Sequence, residues 1–241
     1  MTRPDDTRET RGFASEIKFL VDPATGSRIR DWARARLEPD PHGGGPFADE
    51  YLTTSLYFDT AAFDVFHRRG SYGRSKYRIR RYEGEAVAFL ERKLRRQTRL
   101  AKRRSAAPIK DLTRLDAEMN GAWPGSWFEQ RIVVRRLHPV CQISYRRLAR
   151  VSMREADAIR LTLDEDLRAL ARTHVAFGAE DGVAALPQRM VLELKYRGAL
   201  PAIFKQLVEE LTLAPRRVSK YRFAVAALGL IPDEAASATY A

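Results

Sequence analysis

Read at two-residue steps, the chain sets out rows of cations. Lys76, Arg78, Arg80 and Tyr82 alternate along one stretch, Glu91 and Lys93 along the next, and Lys102 and Arg104 along a third. Further on, Tyr145 pairs with Arg147, Arg160 with Thr162 and Asp164, and Glu193 with Lys195. Successive side chains of a β-strand point to opposite faces, so each of these sets shares one face of its strand. A single charged face is ordinarily a solvated one, with mixed signs. Here cations dominate, and the carboxylates Glu16, Glu91, Asp164 and Glu193 each stand two or four positions from a cation. If the sheet curls onto itself, the charged faces become the lining of a barrel.

Such a lining constrains its ligand. Like charges about 4 Å apart repel by about 4 kcal/mol at an effective dielectric near 20, so a cationic interior calls for an anion that is dense and repeated. Phosphate chains meet that need, because the arginine fork matches phosphate oxygens and lysine supplies point charges between them. The carboxylates then suit Mg²⁺ or Mn²⁺, held by one or two protein oxygens with phosphate and water completing the shell. Glu193 is the first candidate ligand, with Glu16, Glu91 and Asp164 as further ones.

The whole sequence agrees with an anionic partner. Its 241 residues carry 43 Lys and Arg against 31 Asp and Glu, a net charge of +12. Within residues 72–104, Lys76, Lys93, Lys102 and ten arginines face Glu83, Glu85 and Glu91, leaving +10 in that window alone. Ordinary hydrophobic content, 44%, excludes wholesale disorder and low-complexity structure. One cysteine, Cys141, forms no internal disulfide, and His42, His67, His138 and His174 are scattered without metal-ligand spacing. A reducing, cytoplasmic setting is expected. The sequence shows neither an apolar run long enough to span a membrane nor a secretory leader.

The elements that must position these residues follow from periodicity. Strands are expected over 16–21, 51–58, 75–82, 87–94, 98–104, 140–151, 158–166 and 189–196. Helices are expected after Asp22-Pro23, after Asp59-Thr60, over 109–120 and 123–137, after Pro201, and from Ser219 onward. Residues 1–11 and 232–241 read as tails around a single domain over 12–231. Strands joined mostly by hairpins point to an antiparallel α+β fold.

The ordered set Glu16-Ile17-Lys18, Arg78-Ile79-Arg80, Glu91-Arg92-Lys93, Tyr145-Arg146-Arg147, Glu193-Leu194-Lys195 and Arg217-Val218-Ser219-Lys220 resembles the vacuolar transporter chaperone (VTC) polyphosphate polymerase domain, one of the triphosphate tunnel metalloenzymes. The resemblance covers residues 13–231. It implies an eight-stranded antiparallel β-barrel tunnel with flanking helices, binding ATP and inorganic polyphosphate with Mn²⁺ or Mg²⁺. By the same resemblance Arg78, Arg80, Lys93, Arg147 and Lys220 are the catalytic cations and Glu193 the metal ligand. Lys18, Lys76, Lys102, Tyr145, Arg160, Lys195, Arg217 and Ser219 are expected to bind phosphate. Arg217 departs from the pattern, which has lysine there.

The expected activity is transfer of the γ-phosphoryl group of ATP to a growing polyphosphate chain. Hydrolysis of tripolyphosphate or nucleoside triphosphate on the same site is the alternative, and polyphosphate binding without chemistry is a third reading. Nucleic acid is the ordinary partner of so basic a chain, but the cations lie on strands among carboxylates rather than along a helix. A serine at the start of the last helix suits either capping or phosphate binding.

Overall fold

The computed structural model describes residues 7–11, 14–96, 99–116, 123–152 and 159–231. Eleven strands form one antiparallel sheet. They are β1 (Thr7–Arg11), β2 (Ala14–Val21), β3 (Glu38–Pro39), β4 (Glu50–Asp59), β5 (Ser75–Tyr82), β6 (Val87–Arg96), β7 (Arg99–Pro108), β8 (His138–Ser152), β9 (Ile159–Ala171), β10 (Val183–Ala184) and β11 (Met190–Arg197). The order across the sheet is β1-β7-β6-β5-β4-β8-β9-β11-β2, with β3 beside β8 and β10 beside β9. The helices are α1 (Pro23–Arg36), α2 (Asp64–His67), α3 (Ser126–Val134), α4 (Ala202–Glu210) and α5 (Lys220–Ala227).

All eight expected strands are present, and the closed eight-stranded barrel is corrected to a curled sheet. The two edge strands, β1 and β2, are not paired with each other among the described residues. They are, however, consecutive in the chain. Arg11 and Ala14 are three Cα steps apart, so the edges approach to within about 11 Å at that point. The sheet therefore bends most of the way round to a tunnel.

β1 also corrects the expected tail. Residues 7–11 pair with β7, from Thr7 opposite Arg104 to Arg11 opposite Leu100. An edge strand is held by backbone hydrogen bonds and needs no apolar alternation to announce it, which is why TRETR reads as tail. The helix expected over 109–120 is instead a 3₁₀ turn at Ile109–Leu115, while residues 117–122 lie outside the described residues. The helix expected over 123–137 contracts to α3, and the expected tail at 232–241 also lies outside the description.

The apolar core sits on the convex side of the sheet, in two clusters. Tyr77 and Ile79 of β5 and Ala88 and Leu90 of β6 pack outward against Trp127 and Phe128 of α3. On the other flank α1 and α4 bury Ile29, Trp32, Phe204 and Leu207 against Leu161, Leu163, Leu192 and Leu194. Asp22 starts α1 by accepting from the Thr25 N–H at 2.8 Å, with Pro23 in the first turn. Asp59 starts α2 by accepting from the N–H groups of Val65 and Phe66. Gly84, at φ +74, allows the tight turn from β5 to β6. With helices covering the convex face, the concave face is free to be polar.

One buried clamp ties helix to sheet. Asp49, fully buried, accepts from Arg34 of α1 at 3.0 Å and from both Nε and Nη2 of Arg150 of β8 at 2.9 and 2.7 Å. Asp49→Ala leaves the buried Arg150 without its counter-charge and should lower unfolding free energy by about 3–5 kcal/mol. Urea unfolding reads this, and a loss under about 1 kcal/mol would contradict the clamp.

Candidate functional site

The strand alternation places the expected side chains on the concave face, where a polar network binds one wall to the next. Four side chains of β4, Tyr51, Thr53, Ser55 and Tyr57, share that face with Arg78 and Arg80 of β5, and two of them bond these arginines. Arg80 donates to Ser55 Oγ and to Tyr145 OH, both at 3.0 Å. Arg78 donates to Glu91 Oε2 at 2.7 Å and to Tyr57 OH at 3.3 Å. Arg147 donates to both oxygens of Asp164 at 2.6 and 2.8 Å, and reaches Tyr145 OH at 3.4 Å. Tyr145 is 1% exposed, but its hydroxyl lies between two guanidinium groups rather than in an apolar core.

The carboxylates act as bridges between cations. Glu91 is held by Arg78, by Lys102 at 3.1 Å and by Arg104 at 3.5 Å. Glu193 Oε1 accepts from Lys220 at 2.9 Å and Lys18 at 3.1 Å, and Lys195 approaches Oε2 at 3.6 Å. Lys220, the first residue of α5, also meets Asp164 at 2.6 Å. Glu16 is shared by Lys18 at 3.0 Å, Lys93 at 3.5 Å and Lys195 at 3.9 Å. The Lys93 contact spans the curl from β6 to β2, so the two flanks of the sheet meet through charge where they lack a backbone ladder.

This crowding sets the ionisation states. Burial alone would raise the Glu193 carboxyl, but Lys220, Lys18 and Lys195 hold it well below the usual range. Glu91 is held down likewise, against burial, by Arg78, Arg80, Lys102 and Arg104. Glu16 falls to about 2, because Lys18, Lys195 and Lys93 outweigh burial and the neighbouring Glu193. Lys76 lies in a different field. It bonds Ser219 Oγ at 3.0 Å and is pushed down to about 7 by desolvation and then by Lys18, Lys93, Arg68 and Arg78. Lys195 falls to about 8, mainly through burial, with Glu193 and Glu16 opposing.

Lys18, Arg78, Arg80, Lys93, Lys102, Tyr145, Arg147, Lys195 and Lys220 thus converge with the four carboxylates, and Lys76 stands beside them, bonded to Ser219. Arg160 stands apart, bonded to Asp40 and Tyr51 OH, each at 3.0 Å. Arg217 is exposed. Ser219 occupies the N-cap position of α5, but its hydroxyl makes no capping bond and instead accepts from Lys76. The residues the sequence reading missed are Ser55 and Tyr57. The alternation of Tyr51, Thr53, Ser55 and Tyr57 was the available signal, obscured because the other face of β4 holds Leu52, Thr54, Leu56 and Phe58.

A family model for the VTC domain matches residues 13–229, nine-tenths of the chain. The chain belongs to the VTC domain family. VTC domains are part of the triphosphate tunnel metalloenzyme superfamily. Comparison with curated proteins finds no match. Among solved structures, the chain is similar to a candidate adenylate cyclase of Bacillus halodurans at 15% identity, over 86% of this chain and 94% of that one, with a TM-score of 0.52. It is also similar to a candidate adenylyl cyclase of Hippeastrum, described as having a dominant triphosphatase activity, at 19% identity, over 91% and 98% of the two chains, with a TM-score of 0.51. At these identities the likeness speaks for the tunnel fold alone.

Enzymes of the tunnel fold generally use divalent metal ions. The VTC-type lumen of this chain fits one. Asp164 and Glu193 are joined through Lys220, and Thr162, directly opposite Glu193 in the β9–β11 register, has a buried hydroxyl without a partner. Among the described residues no three carboxylate, histidine or cysteine side chains cluster as a complete ligand set. These are hard oxygen donors, too few to cage an ion alone, which suits a hard divalent cation that shares its shell with phosphate oxygens. No helix among the described residues is long and apolar enough to cross a membrane.

The field at Lys76 generates a prediction. A bound polyanion favours its ammonium, so tripolyphosphate binding near pH 8 should take up protons, with Lys195 contributing. Near pH 6 both lysines are already charged in the free protein and this uptake disappears. Calorimetry in buffers of differing ionisation enthalpy measures it. Lys76→Met should reduce the uptake at pH 8, and an unchanged uptake would refute the assignment.

Proposed function

We propose that this chain is a polyphosphate polymerase that transfers the γ-phosphoryl group of ATP to the end of an inorganic polyphosphate chain. The observation that carries the reading is the convergence of Arg78, Arg80, Arg147 and Lys220 on one concave face, with the carboxylates already engaged by cations. In the step, the bond between the γ-phosphorus and the bridging oxygen breaks, and its electron pair leaves with ADP. A terminal phosphate oxygen of the chain forms the new bond to the same phosphorus.

The acceptor is already an ionised oxygen, so no general base is required, and the carboxylates of the site are poor ones. Glu16, Glu91, Asp164 and Glu193 all lie below the ordinary carboxylate range, the cations around each outweighing its burial. Water would need deprotonation, and these groups are weak acceptors for its proton. Arg78, Arg80 and Arg147 would bind the equatorial oxygens and orient donor and acceptor in line. Lys93, Lys102, Lys18 and Lys195 would neutralise the adjoining phosphates, and Tyr145 would fix the guanidinium groups of Arg80 and Arg147. Glu193, with Asp164, would hold a divalent ion, which would supply further neutralisation of the transferring group. Lys220, which bridges the same two carboxylates, would offer its ammonium to phosphate.

Hydrolysis is the second reading, favoured by the triphosphatase activity of the Hippeastrum protein. The two separate by product. Purified protein with ATP and Mn²⁺ should yield chains resolvable on a gel, with ADP released. Free phosphate without chains would establish the hydrolase instead. Arg80→Ala should lower the rate by about 10²–10³-fold, as loss of a charge-stabilising donor does. Glu193→Gln should weaken metal dependence. Turnover unaffected by both substitutions would place the reaction elsewhere.

A further inference from the structure

Outside the carboxylate-bridged network lies a group of cations with little to neutralise them. Lys76, at the start of β5, is surrounded chiefly by other cations, namely Lys18, Lys93, Arg68 and Arg78. Its ammonium bonds the neutral hydroxyl of Ser219, which fixes β5 against the start of α5. Three residues further on, Arg222 lays its guanidinium over the Phe66 ring of α2 at 4.8 Å, and its buried Nε has no partner. Arg68 follows α2, is exposed, and is held at φ +58 as the helix ends. Burial and then Arg68 also disfavour the charge on Arg222. Through the Lys76–Ser219 bond and the Arg222–Phe66 contact, β5, α2 and the first turn of α5 bring Lys76, Arg68 and Arg222 to one side of the molecule.

Uncompensated like charges held by three elements are unfavourable without a counter-ion. Inside the lumen carboxylates answer the cations, whereas among the described residues no ion pair answers Lys76, Arg68 or Arg222, and an outside anion can. The position, continuous with the lumen through Lys76, suits phosphates beyond those of a triphosphate. We infer that Arg68 and Arg222 form an outer subsite for inorganic polyphosphate, holding the chain where it leaves the lumen beside α5. The inference rests on the polymerase reading for its biological sense, but it concerns binding and is tested without turnover. Three phosphates would be held by the inner network, and a longer chain would gain the outer contacts as well.

The test compares tripolyphosphate with long-chain polyphosphate by calorimetry, with chelator present and nucleotide absent. Wild-type protein should bind the long chain more tightly per molecule. Arg68→Asn, chosen because asparagine tolerates the left-handed conformation, combined with Arg222→Gln, should weaken long-chain binding about ten-fold and leave tripolyphosphate binding within about two-fold. Should the double variant unfold, Arg68→Asn alone, at an exposed position, should weaken long-chain binding selectively. Equal losses for both ligands, or no loss for the long chain, would overturn the subsite. If ATP yields no polymer while the length-selective loss persists, the polymerase reading fails and the subsite stands. If polymer forms but the variants bind and extend long chains as wild type does, the subsite fails alone.

Discussion

Mutual repulsion among buried and half-buried cations is the constraint on which this structure turns. Arg78, Arg80, Arg147 and Lys220 lie within one network, and at an effective dielectric near 20 each close like-charged pair opposes folding by about 4 kcal/mol. The protein meets this with carboxylates placed between cations rather than beside solvent. Glu91 neutralises Arg78, Lys102 and Arg104 together, and Glu193 neutralises Lys220 and Lys18. Because each carboxylate is shared, none fully satisfies its partners. The residual positive potential is what an anionic ligand would encounter, and the lining is organised without one.

The same constraint explains why the apolar core is external. A sheet whose concave face is charged cannot be stabilised by burial on that side, so Tyr77, Ile79, Leu161 and Leu192 bury outward beneath α1, α3 and α4. The sheet then has two working faces, one for stability and one for chemistry. Among the described helices, α5 crosses this division. Its Tyr221 stacks on the concave-face Tyr57 at 5.5 Å and donates to Asp59, while Lys220 in the preceding position reaches Asp164 and Glu193. One helix thus anchors in the core and delivers a cation to the site.

This division is also why the faces of the strands could be read from sequence so readily. The alternation Lys76, Arg78, Arg80 against Tyr77, Ile79 separates lumen from core without any knowledge of the partners. Pairings across the curl were hidden. Glu16 and Glu91 read as metal ligands by type, but whether a carboxylate is free or engaged depends on Lys93 reaching β2 and Lys102 reaching β6, which no local pattern encodes. β1 was invisible for a related reason, its place being fixed by backbone pairing with β7. The outer face misled in the opposite direction. Arg81 and Arg103 look solvated, but Arg81 pairs with Glu180 and lies over Phe177, and Arg103 lies over Trp127. Arginine covers apolar surface with its stem and plane, so its charge alone does not place it in water.

The network also carries a consequence for the order of events in the lumen. On the polymerase reading, the oxygens of Glu193 and Asp164 that Lys220 now holds are those a divalent ion would take. A triphosphate would offer the lysine oxygens in exchange, so nucleotide and metal would favour one another's binding, each replacing a contact that opposes the other.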